Sequence, residues 1–459
     1  MANTFLTRAA SGSVTSDKTF TISTWLKKSA NGVQQRWFNH ENESSHAQKL
    51  DLHFIATDLF RMGWWDGSNE YNLDTKRAFR DTNSWYHFVF RLDTTQATAS
   101  NRVRLYVNGE LQELTAIGGG SPTPQYPAQN GTMNLGQRKL VYGRYQAASP
   151  NHYWNGSMSH SHYCDGQSYA PTVFGETDST TGEWKIKTNV TATYGNNGHF
   201  ILKDGNSVTD QSGNSNNFTV GGGTLTKTED NPSNIFCTGN PLARYNGNVN
   251  YSNGANFITG GGNNWTMGSA TMGASTGKYY YELKILSAGT GSGYFKMGFQ
   301  SADQSYANAG HSAQSELDAS YAFYCQNGNL EVRTDGAVIS GYDISTLGVS
   351  FSMNDIMCLA IDMDNKKAYF RKNADAWIKS ADPVNGTNGL DVSSEYPAGK
   401  GMVPNFAIYY PGTAALNFGN GYFGTTAVSS AGTNASGIGI FEYDVPTGYT
   451  ALSTKGLNL

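Results

Sequence analysis

Short segments in which apolar and polar side chains alternate recur along most of this sequence, and this pattern most restricts its fold. Examples are TFTISTWL at residues 19–26, WYHFVFRL at residues 85–92 and YYYELKI at residues 279–285. Alternation with a period of two is typical of β-strands that bury one face. In the N-terminal region, no ten residues keep the 3.6-residue spacing of an amphipathic helix. The pattern therefore predicts an all-β protein.

Turn-forming residues separate these segments. The 459-residue chain contains 53 glycines, and Asn-Gly pairs at 108–109 and 327–328 stand between alternating segments. An Asn-Gly pair favours the two-residue turn of a β-hairpin. Several short strands at regular spacing with turn signals are typical of two-sheet sandwiches. We therefore expect antiparallel β-sandwiches connected by glycine- and asparagine-rich turns.

Charge and hydropathy exclude several classes of protein. The formal net charge is −4 and no basic stripe is present, so we expect no binding to nucleic acid. No segment approaches the ~18 consecutive apolar residues of a membrane span, so we expect no membrane insertion. The N-terminal sequence MANTFLTRAASGS has no apolar segment of signal-peptide length, which disfavours a secreted bacterial lectin.

The four cysteines indicate neither a disulfide framework nor a zinc site. Cys164, Cys237, Cys325 and Cys358 lie far apart in the sequence and form no CxxC or His/Cys cluster. We interpret them as small buried apolar residues of a protein made in a reducing compartment.

Changes in this pattern divide the chain into four predicted parts. Residues 1–170 and 261–425 contain the alternating segments of two β-sandwiches. Between them, residues 171–260 combine short apolar pieces with Asx, Ser and Gly clusters, as expected for a connector held together by turns. Residues 426–459 form an apolar C-terminal tail that is predicted to dock on another surface.

Motifs in the first sandwich and the connector resemble a known family. The motifs of the sandwich are Arg80-Asp81, Trp85-Tyr86-His87, residues 93–100 and residues 104–109. They resemble the laminin-G/pentraxin-like branch of the concanavalin A-like sandwiches, in the version found in structural proteins of marine tailed phages. The connector that follows such domains in those phage proteins is similar to this chain at 165–166, 174–178, 195–198, 212–213, 216–218 and 232–234.

Motifs in the second sandwich resemble a SPRY domain, which is another concanavalin A-like sandwich. They are residues 279–282, Gly298, residues 361–370, Pro404 and residues 417–419. The tail, with residues 445–452 and Lys455, is similar to the segment that follows in the same phage proteins. The resemblance implies two concanavalin A-like antiparallel β-sandwiches of the jelly-roll type. Residues 158–164, MSHSHYC, depart from it, because related chains usually carry an apolar strand there.

The resemblance also implies a function. Proteins of this kind are virion components, so we expect a tail fibre or surface adhesin that is made in the host bacterial cytoplasm and displayed on the virion surface. The expected partners are other copies of the chain in a homotrimer, other tail or capsid proteins, and a host-surface glycan or protein. The first alternative is a capsid-surface decoration protein, and the second is a glycan depolymerase.

Aromatic side chains beside Asn, Asp and Gly are the predicted ligand-binding residues. Flat rings stack on sugar faces while neighbouring amides and carboxylates bond hydroxyl groups. The predicted residues are Trp64, Trp65, Asp66, Tyr71, Tyr153, Trp154, Asn155, Tyr306 and Trp377. For each of them the alternative is a place in the core, because aromatic side chains dominate sandwich cores.

We predict no catalytic residue and no cofactor. A glycosidase of this fold class needs two facing carboxylates, whereas Glu41 with Glu43 lies in a polar loop and Asp362 with Asp364 lies in a hairpin turn. The chain is therefore expected not to be an enzyme.

A metal ion is the alternative to the absence of a cofactor. The spacing of His160 and His162 would place both on one face of a strand, with Cys164 nearby. Asp165 and Asp178 are considered for calcium by their position only, since calcium needs about six to eight oxygen ligands.

Overall fold

The computed structural model divides the chain into two compact units, Met1–Lys227 (unit 1) and Thr228–Leu459 (unit 2). The boundary falls inside the segment predicted as a connector. The structure describes residues 3–41, 50–65, 70–116, 125–133, 136, 138–145, 151–203, 207–245, 249–261, 265–287, 294–303, 320–326, 328–334, 337–409 and 411–459.

Unit 1 consists of two large antiparallel sheets and one hairpin. Its strands are β1 (Phe5–Arg8), β2 (Thr19–Lys28), β3 (Gln35–Glu41), β4 (Leu50–Phe54), β5 (Leu59–Trp65), β6 (Glu70–Ala78), β7 (Tyr86–Asp93), β8 (Val103–Val107), β9 (Glu110–Leu111), β10 (Leu114–Ala116), β11 (Lys139–Tyr142), β12 (Gly156–Asp165), β13 (Gly175–Thr177), β14 (Trp184–Ile186), β15 (His199–Ile201) and β16 (Thr219–Gly222). The strand order is β10-β6-β5-β4-β3-β11-β1-β16 in the eight-stranded sheet and β15-β12-β2-β7-β8-β9 in the six-stranded sheet.

Alternation along each strand builds the core of unit 1. In β2, the side chains of Phe20, Ile22 and Leu26 are fully buried in this core. The Phe20 ring lies 5.7 Å from Phe90 of the neighbouring strand β7 and 5.5 Å from Tyr163. Burying each such side chain contributes about 1.5–3 kcal/mol, so the aromatic core is the main stabilising feature of the unit.

Unit 2 repeats the two-sheet arrangement. Its strands are β17 (Gly239–Tyr245), β18 (Asn250–Ser252), β19 (Phe257–Thr259), β20 (Trp265–Ala270), β21 (Lys278–Ser287), β22 (Tyr294–Ser301), β23 (Tyr321–Gln326), β24 (Asn329–Thr334), β25 (Ala337–Val338), β26 (Ile356–Asp362), β27 (Lys367–Lys372), β28 (Leu390–Asp391), β29 (Met402–Tyr409), β30 (Thr413–Asn417), β31 (Tyr422–Phe423), β32 (Thr426–Ala427) and β33 (Thr450–Ala451). The order is β17-β20-β29-β22-β23-β24-β25 in one sheet and β18-β19-β30-β21-β26-β27-β28 in the other.

Gly298 shows how closely neighbouring strands approach in unit 2. A Cβ atom at this position would lie 1.8 Å from the carbonyl oxygen of Tyr321, which is closer than any real contact allows. The Tyr281 hydroxyl of the other sheet donates a hydrogen bond to the Gly298 carbonyl oxygen at 2.8 Å. Glycine is therefore required here by packing, since any side chain would push these elements apart.

The C-terminal segment, predicted as a docking tail, packs within unit 2. Its residues Phe441, Val445 and Tyr449 are buried in one cluster with Tyr280 of β21. The short strand β33 also pairs in parallel with the start of β21. Alternate residues of β21 therefore face two clusters, because Tyr281 belongs to the core between the sheets.

The first part of the predicted connector covers the outer face of the six-stranded sheet in unit 1. Phe174 packs there with Val89 of β7 and Cys164 of β12. The His162 ring stacks on Phe200 with centroids 3.8 Å apart, and its Nδ1 atom lies 2.9 Å from the Tyr194 hydroxyl. This cover explains why segment 158–164 is polar, since its outward side chains find polar and aromatic partners.

The described residues are almost entirely strands and turns. They contain one α-helix, α1 (Ile344–Leu347). Among them, no helix is long and apolar enough to cross a membrane. The predicted all-β class is confirmed.

Candidate functional site

A cleft on unit 2 combines an aromatic ring, a guanidinium group and two carboxylates. Its volume is about 310 Å³. The residues that line it come from the end of β27, the loop that follows β27 and the C-terminal segment. They are Arg371, Trp377, Ala381, Asp382, Pro383, Val384, Asp444, Val445 and Pro446.

Trp377 is the predicted ligand-binding residue that lies in this cleft. Its side chain is half-buried, and its ring meets the Tyr369 ring edge-on at 6.4 Å. The guanidinium carbon of Arg371 lies 4.6 Å from the centroid of the Trp377 ring. A cation this close to an indole is attracted by the ring, so Arg371 fixes the orientation of Trp377.

Arg371 is itself held by Tyr280 of β21 in the same sheet and by the C-terminal segment. The Nη2 atom of Arg371 donates to the Asp444 carbonyl oxygen at 2.6 Å and lies 3.4 Å from the Tyr280 hydroxyl oxygen. Its Nε atom is buried and has no hydrogen-bond partner among the described residues. Arg371 is therefore fixed by contacts within unit 2 beside the Trp377 ring.

Two carboxylates of the cleft are fixed by local hydrogen bonds. Asp382 accepts from the amides of Val384 and Asn385 at 2.9 and 3.1 Å, and the Asn385 side chain holds the pKa of Asp382 below its usual value. Asp444 accepts from the Thr433 amide at 2.6 Å, which likewise lowers the pKa of Asp444. Both groups are therefore ionised at neutral pH and suited to accepting hydrogen bonds from hydroxyl groups.

A fully buried carboxylate, Glu282, anchors the segment that forms one wall of the cleft. Its two oxygens accept from the amides of Glu442 and Tyr443, both at 3.0 Å. They also accept from the Tyr280 hydroxyl at 3.0 Å and the Asn417 side-chain amide at 3.1 Å. Burial raises the pKa of Glu282 to about 7, although these four donors act in the opposite direction.

The raised pKa of Glu282 predicts a pH dependence of unit 2. Because the folded-state value of about 7 exceeds the ordinary value of 4.5, the folded unit binds more protons between these limits. The contribution of Glu282 to the free energy of unfolding should therefore be greatest below pH 4.5 and fall by about 3 kcal/mol as the pH rises to 7. Urea unfolding across this range measures the change, and a Glu282→Gln variant should lack this component. An equal slope in both proteins would contradict the prediction.

The structure places most of the other predicted aromatic residues in or beside the core of unit 1. Trp64 is fully buried and Trp154 is 8% exposed, whereas Trp65, Tyr71, Tyr153 and Asn155 are partly exposed. The Trp64 and Tyr71 rings stack at 5.4 Å. Asp66 and Tyr306 lie outside the described residues. Trp377 alone among the described candidates lies in the cleft.

The polar sequence that follows Trp64 and Trp65 is typical of a loop, but both residues lie in a strand. They end strand β5, which pairs with β4 and β6. The misleading signal is the polar run that follows them in the sequence, whereas pairing on both sides of β5 keeps the chain extended up to Trp65.

The residues considered for a metal ion serve structural purposes in this fold. Asp165 is buried and accepts from the amides of Thr15, Ser16 and Asn197 at 2.6, 3.1 and 3.0 Å. Asp178 accepts from the amides of residues 180 and 181, and the Lys185 ammonium lies 3.1 Å away. Within the described ranges, no group of three or more His, Cys, Asp or Glu side chains is placed to hold a metal.

His160 and His162 were expected on one face of a strand. That expectation requires regular strand pairing, and the pairing is interrupted at these residues. The pairing of β12 with β2 shifts register between Ser159 and His162. His160 adopts a left-handed backbone conformation with φ of 49°, and its Nδ1 atom lies 2.7 Å from the Ser159 hydroxyl.

Sequence reasoning missed the polar row beneath the cleft. Arg371, Cys358, Glu282 and Asn417 are register partners across β27, β26, β21 and β30. The signal that could have found Arg371 is its spacing of two from Tyr369 in β27, which places both side chains on one face.

Sequence reasoning also missed an aromatic set on the seven-stranded sheet of unit 2. The Lys296 ammonium lies 4.4 Å from the centroid of the Trp265 ring and 4.8 Å from that of Tyr324. Tyr409 packs against the same Trp265 ring at 5.3 Å.

Comparisons with known proteins agree with this architecture. The family model described as the Concanavalin A-like lectin/glucanases superfamily, of the laminin G type, matches residues 3–165. No curated protein matches the chain.

Several solved structures are similar to the chain at low sequence identity. The SPRY domain of human HERC1 is 16% identical, with 39% of this chain and 96% of that chain covered and a TM-score of 0.29. A SAP-like pentraxin from Limulus polyphemus is 12% identical, with coverages of 36% and 71% and a TM-score of 0.27. Domains LG4-5 of the mouse laminin α1 chain are 8% identical, with coverages of 97% and 94% and a TM-score of 0.29. The family match thus indicates a concanavalin A-like fold of the laminin G type for residues 3–165.

Proposed function

We propose that the chain is a virion structural protein of a tailed phage, a tail fibre or surface adhesin that binds a host-surface glycan in the unit 2 cleft. The phage assignment rests on the resemblance of four consecutive parts of the chain to marine phage structural proteins. The protein acts at the virion surface as a homotrimer, beside other tail or capsid proteins.

The observation that carries the binding proposal is the half-exposed ring of Trp377, which Arg371 holds in a cleft that also contains two ionised carboxylates. An indole face stacks on the apolar face of a sugar ring. Asp382 and Asp444 line the same cleft and accept hydrogen bonds from sugar hydroxyl groups. This combination of one apolar face with convergent polar groups is typical of ligand sites.

The protonation states of the cleft favour binding over catalysis. A glycosidase needs a protonated carboxylic acid as general acid beside a second carboxylate. The pKa values of Asp382 and Asp444 are both lowered by hydrogen bonds, so neither holds a proton at neutral pH. Glu282 has the raised pKa of an acid, but it is buried with both oxygens occupied by donors.

Replacing Trp377 by alanine tests the proposal. We expect the affinity for host envelope polysaccharide, measured by calorimetry, to fall about tenfold or more, because a central aromatic anchor is lost. Trp377→Phe should retain part of the affinity. Trp65→Ala removes a partly exposed tryptophan of unit 1 and should leave binding unchanged. Equal affinities for the Trp377→Ala variant and the unaltered protein would overturn the assignment of the cleft.

The two alternative functions predict different results. Release of oligosaccharides from the polysaccharide during the same measurement would favour a depolymerase. An electron-microscopy map that places the chain on the capsid shell, without binding to any host glycan, would favour a decoration protein.

A further inference from the structure

A second polar cluster is buried inside unit 1. Arg8 of β1 is paired with Leu140 of β11, and Leu140 is paired with His40 of β3. Residues paired across neighbouring strands share a face of the sheet. The side chains of Arg8 and His40 are buried, so a guanidinium group and an imidazole lie within the sandwich.

The Arg8 guanidinium group has no carboxylate partner among the described residues. Its Nη2 atom donates to the carbonyl and side-chain oxygens of Asn197, while its Nε and Nη1 atoms are buried without a hydrogen-bond partner. The carboxylates of Asp210 and Asp165 act on it electrostatically without bonding to it. Both are already occupied, Asp165 by three backbone amides and Asp210 by the amides of residues 200, 212 and 216.

Three further buried groups beside Arg8 lack partners in the described part of the chain. Both ring nitrogens of His40, the Tyr163 hydroxyl and the side-chain nitrogen of Asn197 form no hydrogen bond. The rings of His40 and Tyr163 are 5.7 Å apart, and Asn197 contacts Arg8 directly. All three residues are at most 1% exposed. These unpaired groups therefore form one contiguous cluster.

The cluster is rich in donors, and one of its side chains, Arg8, is a buried cation. Arginine stays protonated in proteins and only donates, and the Asn197 amide nitrogen also only donates. Burial, followed by the positive charges of Arg8 and Arg138, lowers the pKa of His40 to about 3, so the imidazole is neutral and supplies one N–H. A buried cation with unpaired donors is unfavourable unless an opposite charge or acceptor joins it.

From this arrangement we infer that Arg8, His40, Tyr163 and Asn197 together bind a small inorganic anion of the halide class inside unit 1. The anion accepts from Arg8, from the N–H of the neutral His40 imidazole, from the Tyr163 hydroxyl and from the Asn197 amide. It stabilises the folded unit, because the unfolded chain does not assemble the four donors. The site is independent of the glycan cleft in unit 2.

Bromide is the probe for this site, because it replaces chloride and scatters anomalously. Crystals of the full chain grown in bromide should show an anomalous peak within hydrogen-bond distance of Arg8 and Tyr163. In solution, the urea midpoint of unit 1 should rise with each tenfold increase in bromide at constant ionic strength, with gluconate as the balancing anion.

Matched variants separate specific binding from general salt effects. Arg8→Gln should abolish the bromide dependence of the midpoint, whereas Arg77→Gln, which removes an exposed arginine of unit 1, should retain it. The inference would be overturned if bromide crystals showed a water molecule at the cluster. It would also be overturned if an anomalous peak appeared there but the urea midpoint of the unaltered protein did not depend on bromide. These two readouts on the unaltered chain decide the question even if the Arg8→Gln variant fails to fold.

Discussion

A Glu282→Ala variant is expected to lose about 3–5 kcal/mol of unfolding free energy in unit 2. Glu282 accepts from two backbone amides of the C-terminal segment and from the side chains of Tyr280 and Asn417. Alanine would leave all four donors buried without an acceptor, and each such group costs about 1–3 kcal/mol before the structure relaxes.

Urea unfolding measures this loss, and limited proteolysis shows where it acts. Cleavage after residue 441 should accelerate, because the amides of Glu442 and Tyr443 lose their acceptor. Glu395→Ala is the matched control, since the Glu395 side chain is partly exposed and the described residues give it no hydrogen bond. A Glu282→Ala protein with the stability and cleavage rate of this control would show that the carboxylate does not anchor the segment.

Trp64→Ala is the second change with a large expected effect, about 3–5 kcal/mol of unfolding free energy in unit 1. The Trp64 ring is fully buried in the core and stacks on Tyr71 at 5.4 Å. Its removal leaves a cavity that the surrounding strands fill only in part. The sequence pattern offered Trp64 as a ligand platform, so the result also separates a core role from a binding role.

The neighbouring tryptophan provides the control for this variant. Trp65 is partly exposed, and the alternation of a strand places it on the other face of β5. We expect Trp65→Ala to cost about 1 kcal/mol. The comparison uses the denaturation midpoints of both variants, with unfolding monitored by near-ultraviolet circular dichroism. Similar losses in the two proteins would argue against the burial of Trp64 as the cause.

Local patterns in the sequence were sufficient to predict the class of fold. The alternation in residues 19–26 and 279–285 corresponds to strands β2 and β21, which are central in their sheets. Such strands bury side chains against a neighbouring layer, so their period of two is conspicuous. The sequence of β12 does not by itself predict a buried strand. The residues that cover its outer face, Phe174 and Tyr194, come from a later part of the chain.

The cleft could be predicted only in part. Trp377 stands out in the sequence as an aromatic residue near a turn, but its partners are set by long-range register. Arg371 donates a hydrogen bond to residue 444, which is 73 positions away in the sequence. Glu282 accepts hydrogen bonds from Glu442 and Tyr443, which are 160 and 161 positions away. A single sequence does not specify which strands become neighbours, so it gives no signal for such pairs.

The cover on the six-stranded sheet bears on how this protein should be divided for experiments. The matched domain ends at residue 165. Val89 and Cys164 lie within this domain, yet they are shielded from solvent by Phe174 and its neighbours, which follow residue 165. A fragment cut at the family boundary would present this apolar face to solvent and invite self-association. Fragments that extend through Lys227 keep the face covered, so the unit suitable for isolation is longer than the domain that the family comparison delimits.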